Sequence, residues 1–267
     1  MRKAEAIALA SKVPEVTIFF WCIKVLGTTV GETAADYLNE TRGLGLNKTS
    51  LVVGAALAVA LFFQMRSKHY VAGLYWTVVV LISIAGTLMT DNLTDGHGVS
   101  LFVTTSVFAV LLAATFIGWF TKERSLSIHS VVTRSREAWY WLTILFTFAL
   151  GTSAGDLISE KFDLGYVVSG FIFAGLIAAV AVMRYRLKMS EILTFWMAYV
   201  LTRPLGASLG DFLLQKPHDG GIGLPTGGVT FTFLGIIIAL VTYLSITRLD
   251  ITKPDDIDDE EVELVPV

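Results

Sequence analysis

Eight stretches of predominantly apolar residues, at 16–38, 49–65, 71–93, 98–120, 138–158, 165–184, 190–213 and 228–247, decide what this chain can fold into. A bilayer's hydrocarbon is about 30 Å thick, and a helix of about 20 residues crosses it with every backbone group satisfied internally. The runs are too long and too uniformly apolar for the alternating strands of an outer-membrane barrel, and their connections are short. Charged residues make up only 16% of the chain, against about 25% in soluble domains. The expected architecture is all-α: a polytopic membrane bundle of eight transmembrane helices. No continuous apolar segment precedes the first span, so that span is expected to act as its own insertion signal, without a cleaved leader. The single cysteine, Cys22, excludes a disulfide framework or a cysteine-based zinc site and reads as a packing residue.

Basic residues fix the expected orientation, because cytoplasmic flanks retain Lys and Arg. Arg2, Lys3 and Lys12 precede the first span, and eleven more basic residues follow the even-numbered spans, from Arg66 and Lys68 to Arg248 and Lys253. The opposite connections hold Arg42, Lys48, Lys161 and Lys216. Both termini are therefore expected in the cytoplasm, with the protein in a bacterial inner membrane. Residues 250–267 carry eight acids against Lys253 and read as a solvated, disordered cytoplasmic tail.

A repeat organises the rest. Four aromatic-Trp pairs, Phe20-Trp21, Tyr75-Trp76, Tyr140-Trp141 and Phe195-Trp196, open the odd-numbered spans. Ten residues after each Trp stands a glycine (Gly31, Gly86, Gly151, Gly206). Four further on stands a small residue (Ala35, Thr90, Gly155, Gly210), followed at once by Asp36, Asp91, Asp156 and Asp211. Trp spacings of 55, 65 and 55 divide the chain into halves, 1–130 and 131–249, each of two repeats and four spans. The pattern resembles a bacterial polytopic membrane-protein family of four tandem two-span repeats of unknown function. That resemblance implies membrane residence and four parallel two-helix units, and brings no activity with it.

The glycines and the small residues after them, Gly155 and Gly210 among them, form small-xxx-small pairs that let helices approach closely where lipid supplies no hydrophobic drive. The tryptophans are expected to anchor at the cytoplasmic interface. Because each unit has two spans, all four Asp residues share one depth, about 22 Å along the helix from the Trp. Positions one turn apart on the same face extend each Asp into a track. The four tracks read Lys24, Thr28, Glu32, Asp36; then Val79, Ser83, Thr87, Asp91; Ile144, Phe148, Thr152, Asp156; and Tyr199, Arg203, Ala207, Asp211. A ring of carboxylates is a recurrent way to select cations. Glu32, Asp36, Asp91, Asp156 and Asp211 are the candidate ligands, with Thr28, Thr87 and Thr152 adding hydroxyls along the path. Oxygen donors suit a bound manganese, magnesium or calcium ion rather than copper.

Lys24 and Arg203 are the basic residues inside spans. They are read either as partners of Glu32 and the Asp residues or as coupling groups that compete with a transported cation. Clustered carboxylates share protons, so protons are a further expected partner besides the lipid bilayer and a small inorganic cation; nucleic acid is not. Pro204 is expected to kink the seventh span. The loop histidines, His97 and His218, read as solvated. Neither a zincin helix nor a serine-nucleophile elbow occurs in the sequence, so no enzyme activity is expected. The leading reading is a cation transporter for a divalent metal. A cation channel and a non-transporting scaffold or sensor with structural Asp residues stand as alternatives.

Overall fold

The computed structural model describes residues 10–252, and the acidic run from Asp255 to Glu263 lies outside them. Among the described residues the regular structure is entirely helical: α1 Ile18–Asp36, α2 Leu46–Arg66, α3 Ala72–Thr94, α4 Leu101–Glu123, α5 Arg134–Asp156, α6 Gly165–Tyr185, α7 Glu191–Leu214 and α8 Thr226–Thr247. Thr17, Ser100 and Thr133 cap α1, α4 and α5 by accepting from backbone N–H groups three residues on. Seven helices are long and apolar enough to cross a membrane. The exception is α7, which carries Glu191, Arg203 and Asp211. Its polar residues are tolerated because α7 packs against α1, α5 and α6 and buries Arg203 and Asp211 in protein.

The odd-numbered helices form a closed inner ring, in which α1 packs on α3, α3 on α5, α5 on α7 and α7 on α1. The repeated glycines make these four contacts. A Cβ at Gly86 would stand 2.7 Å from the Cβ of Phe148 on α5. Equivalent atoms at Gly31, Gly151 and Gly206 would collide with Ser83 on α3, Arg203 on α7 and Thr28 on α1. Each inner helix thus presents its glycine to the next one round the ring. Gly155 and Gly210 extend the same contacts, facing Pro204 and Glu32.

Each even-numbered helix packs mainly on the inner helix of the following repeat: α2 on α3, α4 on α5, α6 on α7, and α8 back on α1. Contact with the inner helix of its own repeat is marginal, so the two-span unit of the sequence is not a packed pair. Cys22 is exposed on the outside of α1 instead of packed.

The tryptophans depart furthest from expectation. Trp76, Trp141 and Trp196 are buried, and their rings pack against Tyr75, Tyr140, Tyr199 and Trp119. These three are core residues rather than anchors at a lipid interface, whereas Trp21 is only partly buried and packs against Phe20 and Phe195. The two aromatic residues preceding Trp76 and Trp141 meet across the ring, Tyr75 Oη lying 2.5 Å from Tyr140 Oη.

Residues 10–17 and the connection 124–133 fold together over the Trp end of the bundle. The Lys12 amide donates to Val131, Tyr70 to Ser11, and Glu15 to the carbonyl of Asp250. The described start, the described end and the connections at Tyr70 and Val131 therefore share one end of the molecule. Asp250, counted in the sequence with the solvated tail, is instead buried and accepts a hydrogen bond from Tyr70 Oη at 2.5 Å.

Candidate functional site

Each inner helix turns one face toward the ring's axis, and the i, i+4 tracks lie on that face. The layers can be followed from the Trp end to the Asp end. Phe20, Tyr75, Tyr140 and Phe195, directly before the tryptophans, form an aromatic floor whose members are all buried. Above them come Lys24, Val79, Ile144 and Tyr199, then Thr28, Ser83, Phe148 and Arg203, each essentially without solvent exposure. Glu32, Thr87, Thr152 and Ala207 follow, and then the four Asp residues, of which Asp211 is the most buried.

The acidic end holds a cavity of ≈ 120 Å³ lined by Glu32, Asp91, Thr94, Asp95, Leu101, Asp156, Glu160, Asp211 and Gln215. Four of the five proposed ligands line it, while Asp36 lies outside the lining. Asp95 and Glu160 are carboxylates that the sequence reading missed. Glu40, Asp95, Glu160 and Gln215 each stand nineteen residues after their Trp, so one more turn of the same track would have found them. Two of these positions are built by a special device. The α-helix of α1 and that of α5 pass into single π-helical turns, Tyr37–Thr41 and Leu157–Lys161, immediately after Asp36 and Asp156. In the second of these turns Glu160 Oε1 accepts from Tyr166 Oη at 3.3 Å.

Arg203 is paired with Glu32, which lines the cavity, but is not itself part of the lining. Its guanidinium is fully buried and donates from Nη2 to Glu32 Oε2 at 3.0 Å, from Nη1 to the Thr28 carbonyl at 2.9 Å, and from Nη2 to Thr87 Oγ1. Thr87 Oγ1 in turn donates to Glu32 Oε2 at 3.4 Å. Three helices, α1, α3 and α7, are tied together at this one point. Gly31 and Gly206 permit it, since they let α1 approach Ser83 on α3 and α7 approach Thr28 on α1.

Lys24 behaves differently from Arg203. Its Nζ donates to Thr202 Oγ1 at 3.2 Å and lies over the rings of Phe148 and Tyr199, 4.2 and 4.1 Å from their centroids. No described carboxylate is within salt-bridge distance of it. Cation–π attraction of about 0.5–2 kcal/mol per ring replaces the expected ion pair. Among the hydroxyls of the track, Thr28 Oγ1 bonds Val25 and Thr202 carbonyls, and Thr152 Oγ1 bonds the Phe148 carbonyl. Both are satisfied within the helices. Pro204 lies within α7, which continues as α-helix through it, and its ring packs near Gly151 and Gly155.

The carboxylates surround the cavity without closing on one point. Among the described residues no three His, Cys, Asp or Glu side chains come close enough together to hold a metal ion directly. His97 lies elsewhere, its Nδ1 2.5 Å from the Asn92 carbonyl, beside a separate cavity of ≈ 440 Å³ between the loops at 44–48 and 92–97.

The family model described as Repeat of Unknown Function (DUF347) matches four times, at residues 19–70, 74–125, 139–190 and 194–250. These matches account for well over half of the chain. The chain belongs to this family. Its four units coincide with the four Trp-Gly-Asp repeats, each beginning just before its Trp. No curated protein and no solved structure matches the chain.

Proposed function

We propose that this member of the repeat family is an integral membrane carrier for a small inorganic cation, a divalent metal such as manganese, magnesium or calcium, that enters the ring axis at its acidic end. One observation carries the reading: six carboxylates line one cavity, and one of them, Glu32, is paired with the buried Arg203. Carboxylates gathered around one cavity in excess of neighbouring bases attract cations, and Arg203 is a tethered cation already seated on the buried Glu32. An arriving ion competes with Arg203 for Glu32, which gives occupancy a means of altering the α1–α7 contact. The spread of the carboxylates suits an ion that keeps part of its water shell, as magnesium usually does.

A carrier is favoured over an open channel because the axis beyond Glu32 is filled by Arg203, Phe148, Lys24 and the aromatic floor. Side chains that fill the axis around the buried Arg203 oppose free passage of an ion. The protein is placed in the cytoplasmic membrane with the Trp end inward, in keeping with the excess of Lys and Arg at that end. Protons are the natural counter-ion for the carboxylates.

The test is flux into liposomes for Mn²⁺, Mg²⁺ and Ca²⁺, with and without a pH gradient. Asp91→Asn and Asp156→Asn keep side-chain size and remove charge in the two repeats without a base on the track. Both variants are expected to fold normally and to lose transport and ion-dependent thermal stabilisation. Unchanged flux in both would return the Asp residues to a structural role.

A further inference from the structure

The size and the hydrogen-bonding character of the acidic cavity restrict its ligand further than charge does. Its volume is ≈ 120 Å³, several times the ~30 Å³ that one water occupies in the liquid. A bare divalent ion gripped by protein oxygens needs them within about 2.0–2.6 Å of its centre. The lining carboxylates do not converge to that extent: among the described residues no three His, Cys, Asp or Glu side chains stand close enough to hold a metal directly. Space and spread together describe a site larger than an ion.

The side chains that face this space are almost wholly acceptors. Six are carboxylates, and the lining holds no Lys, Arg or His. Thr94 gives its hydroxyl proton to the Thr90 carbonyl at 3.1 Å and so presents lone pairs. Glu32 Oε2 already accepts from Arg203 and Thr87, and Glu160 Oε1 from Tyr166. The side chains of Asp91, Asp95, Asp156 and Asp211 accept from no described group. Asp211 decides the matter. It is only 7% exposed, yet it lines the cavity with neither a donor nor a base bonded to it. A buried carboxylate in that condition is costly unless donors reach it from the cavity.

We propose that the cavity binds its cation through the ion's water shell, so that the substrate is a hydrated divalent ion, magnesium foremost, with Asp211 as the most buried acceptor for that shell. The inference rests on the carrier reading above and adds the form in which the ion is held. Magnesium dehydrates reluctantly and keeps several of its waters when bound. Waters on a divalent ion present O–H donors outward, and a hydrogen bond relayed by water is nearly as favourable as a direct one. A cavity of acceptors several waters wide matches the donor surface of such a complex. Calcium, which takes about six to eight oxygens directly at a flexible site, gains nothing from this arrangement.

Hexaamminecobalt(III) isolates the mode of binding, because its ammine ligands do not exchange and reach a carboxylate only through N–H donors. Spermidine carries the same charge without a compact octahedral shell. Melting of the full chain in detergent is measured with Mg²⁺, the cobalt complex or spermidine at equal ionic strength, and Mg²⁺ flux into liposomes with and without the complex. Mg²⁺ and the complex are each expected to raise Tm by several degrees, spermidine by less, and the complex to slow Mg²⁺ flux several-fold. Asp211→Asn should raise the concentration of complex needed for half the effect several-fold. Asp95→Asn, at an exposed position of the lining, gives the same reading if Asp211→Asn folds poorly. Mg²⁺ flux without any response to the complex would overturn this inference and leave the carrier standing, with direct ligation. Equal responses to the complex and spermidine, or responses unaltered in the variants, would overturn it as well. Absence of flux for every metal would remove the carrier reading; a complex that still stabilised the protein above spermidine would then keep the assignment of the ligand, and one that did not would overturn both.

Discussion

Substituting Gly86 by alanine tests whether the ring is held by backbone contact. The new Cβ would lie 2.7 Å from Phe148 Cβ and 3.1 Å from both the Ala149 nitrogen and the Phe148 carbonyl carbon. Unstrained carbon contacts are about 3.5–4.0 Å, so the methyl intrudes by several tenths of an ångström, and on backbone that no rotamer change can move. Overpacking of this kind costs about 1–3 kcal/mol. Moving α3 away from α5 would also stretch the bond from Thr90 Oγ1 to the Ala149 carbonyl, now 3.1 Å, one turn along the same contact. Against this, alanine gains about 0.5–1 kcal/mol over glycine in a helix. Gly235 on α8 supplies the control, since a Cβ there meets nothing within 4 Å and should show the gain alone. The expected net loss for Gly86→Ala is about 0.5–2 kcal/mol. That corresponds to a fall in Tm of roughly 1–8 °C for a protein of this size. Differential scanning fluorimetry of both variants in the same detergent decides the matter. If Gly86→Ala melts with or above Gly235→Ala, close approach at the repeated glycine is not what holds the ring.

Removing Arg203 alone, by Arg203→Met, should cost about 3–5 kcal/mol because Glu32 is left buried without its partner. Arg203→Met/Glu32→Gln should recover much of that loss in the same melting assay, and a double variant no more stable than the single would show that the pair is not coupled. Where residues 10–17 meet the connection 124–133, Glu15 Oε2 lies 3.3 Å from His129 Nε2. Burial pushes the Glu15 carboxyl up, but neighbouring His129, the Val16 amide and Thr252 together hold it below its ordinary 4.5. A carboxylate with a lowered folded-state value stabilises above its unfolded value, and loses that contribution as pH falls through the folded one. The melting difference between wild type and Glu15→Gln should therefore vanish on acidification below about pH 4; a difference unchanged to pH 3 would contradict the pairing.

Much of this architecture is legible in the sequence because a helix face has a fixed period. Hydropathy gives eight helices, and the Trp-Gly-Asp spacing places Glu32, Asp91, Asp156 and Asp211 at one depth around one cavity. The same period read one turn further in each direction yields the aromatic floor and the outer acidic positions Asp95 and Glu160. Other features have no local signal. Nothing in four equivalent units says whether α2 covers its own inner helix or the next, because both choices bury the same residues. Trp76, Trp141 and Trp196 look like interface anchors until the inner ring is seen to be large enough to enclose them. The pairing of Lys12 with Glu137 joins residues 125 positions apart, and only the folding of residues 10–17 over the Trp end brings them together.

What distinguishes the site from its scaffold is where the repeat is broken. The glycines, the tryptophans and the Asp residues recur in all four units and build the ring. Glu32, Lys24 and Arg203 each occur once, and all three sit on the two helices, α1 and α7, that close it. At the equivalent positions the other units place Thr87, Thr152 and Ala207, or Val79, Ile144 and Tyr199, or Ser83 and Phe148, residues that fill space or donate a hydroxyl. A ring of four identical units would present four equal contacts, with no reason for one to open before another. Concentrating the ionic contacts in one place makes the α1–α7 seam the one that, in the proposed carrier, an ion at Glu32 would weaken. Its counterpart across the ring, where α3 meets α5, is held by Gly86 against Phe148 and Ala149 and has no such dependence. The proposed carrier would therefore hinge at the α3–α5 seam and part at the α1–α7 seam, and cross-links placed across each seam distinguish the two.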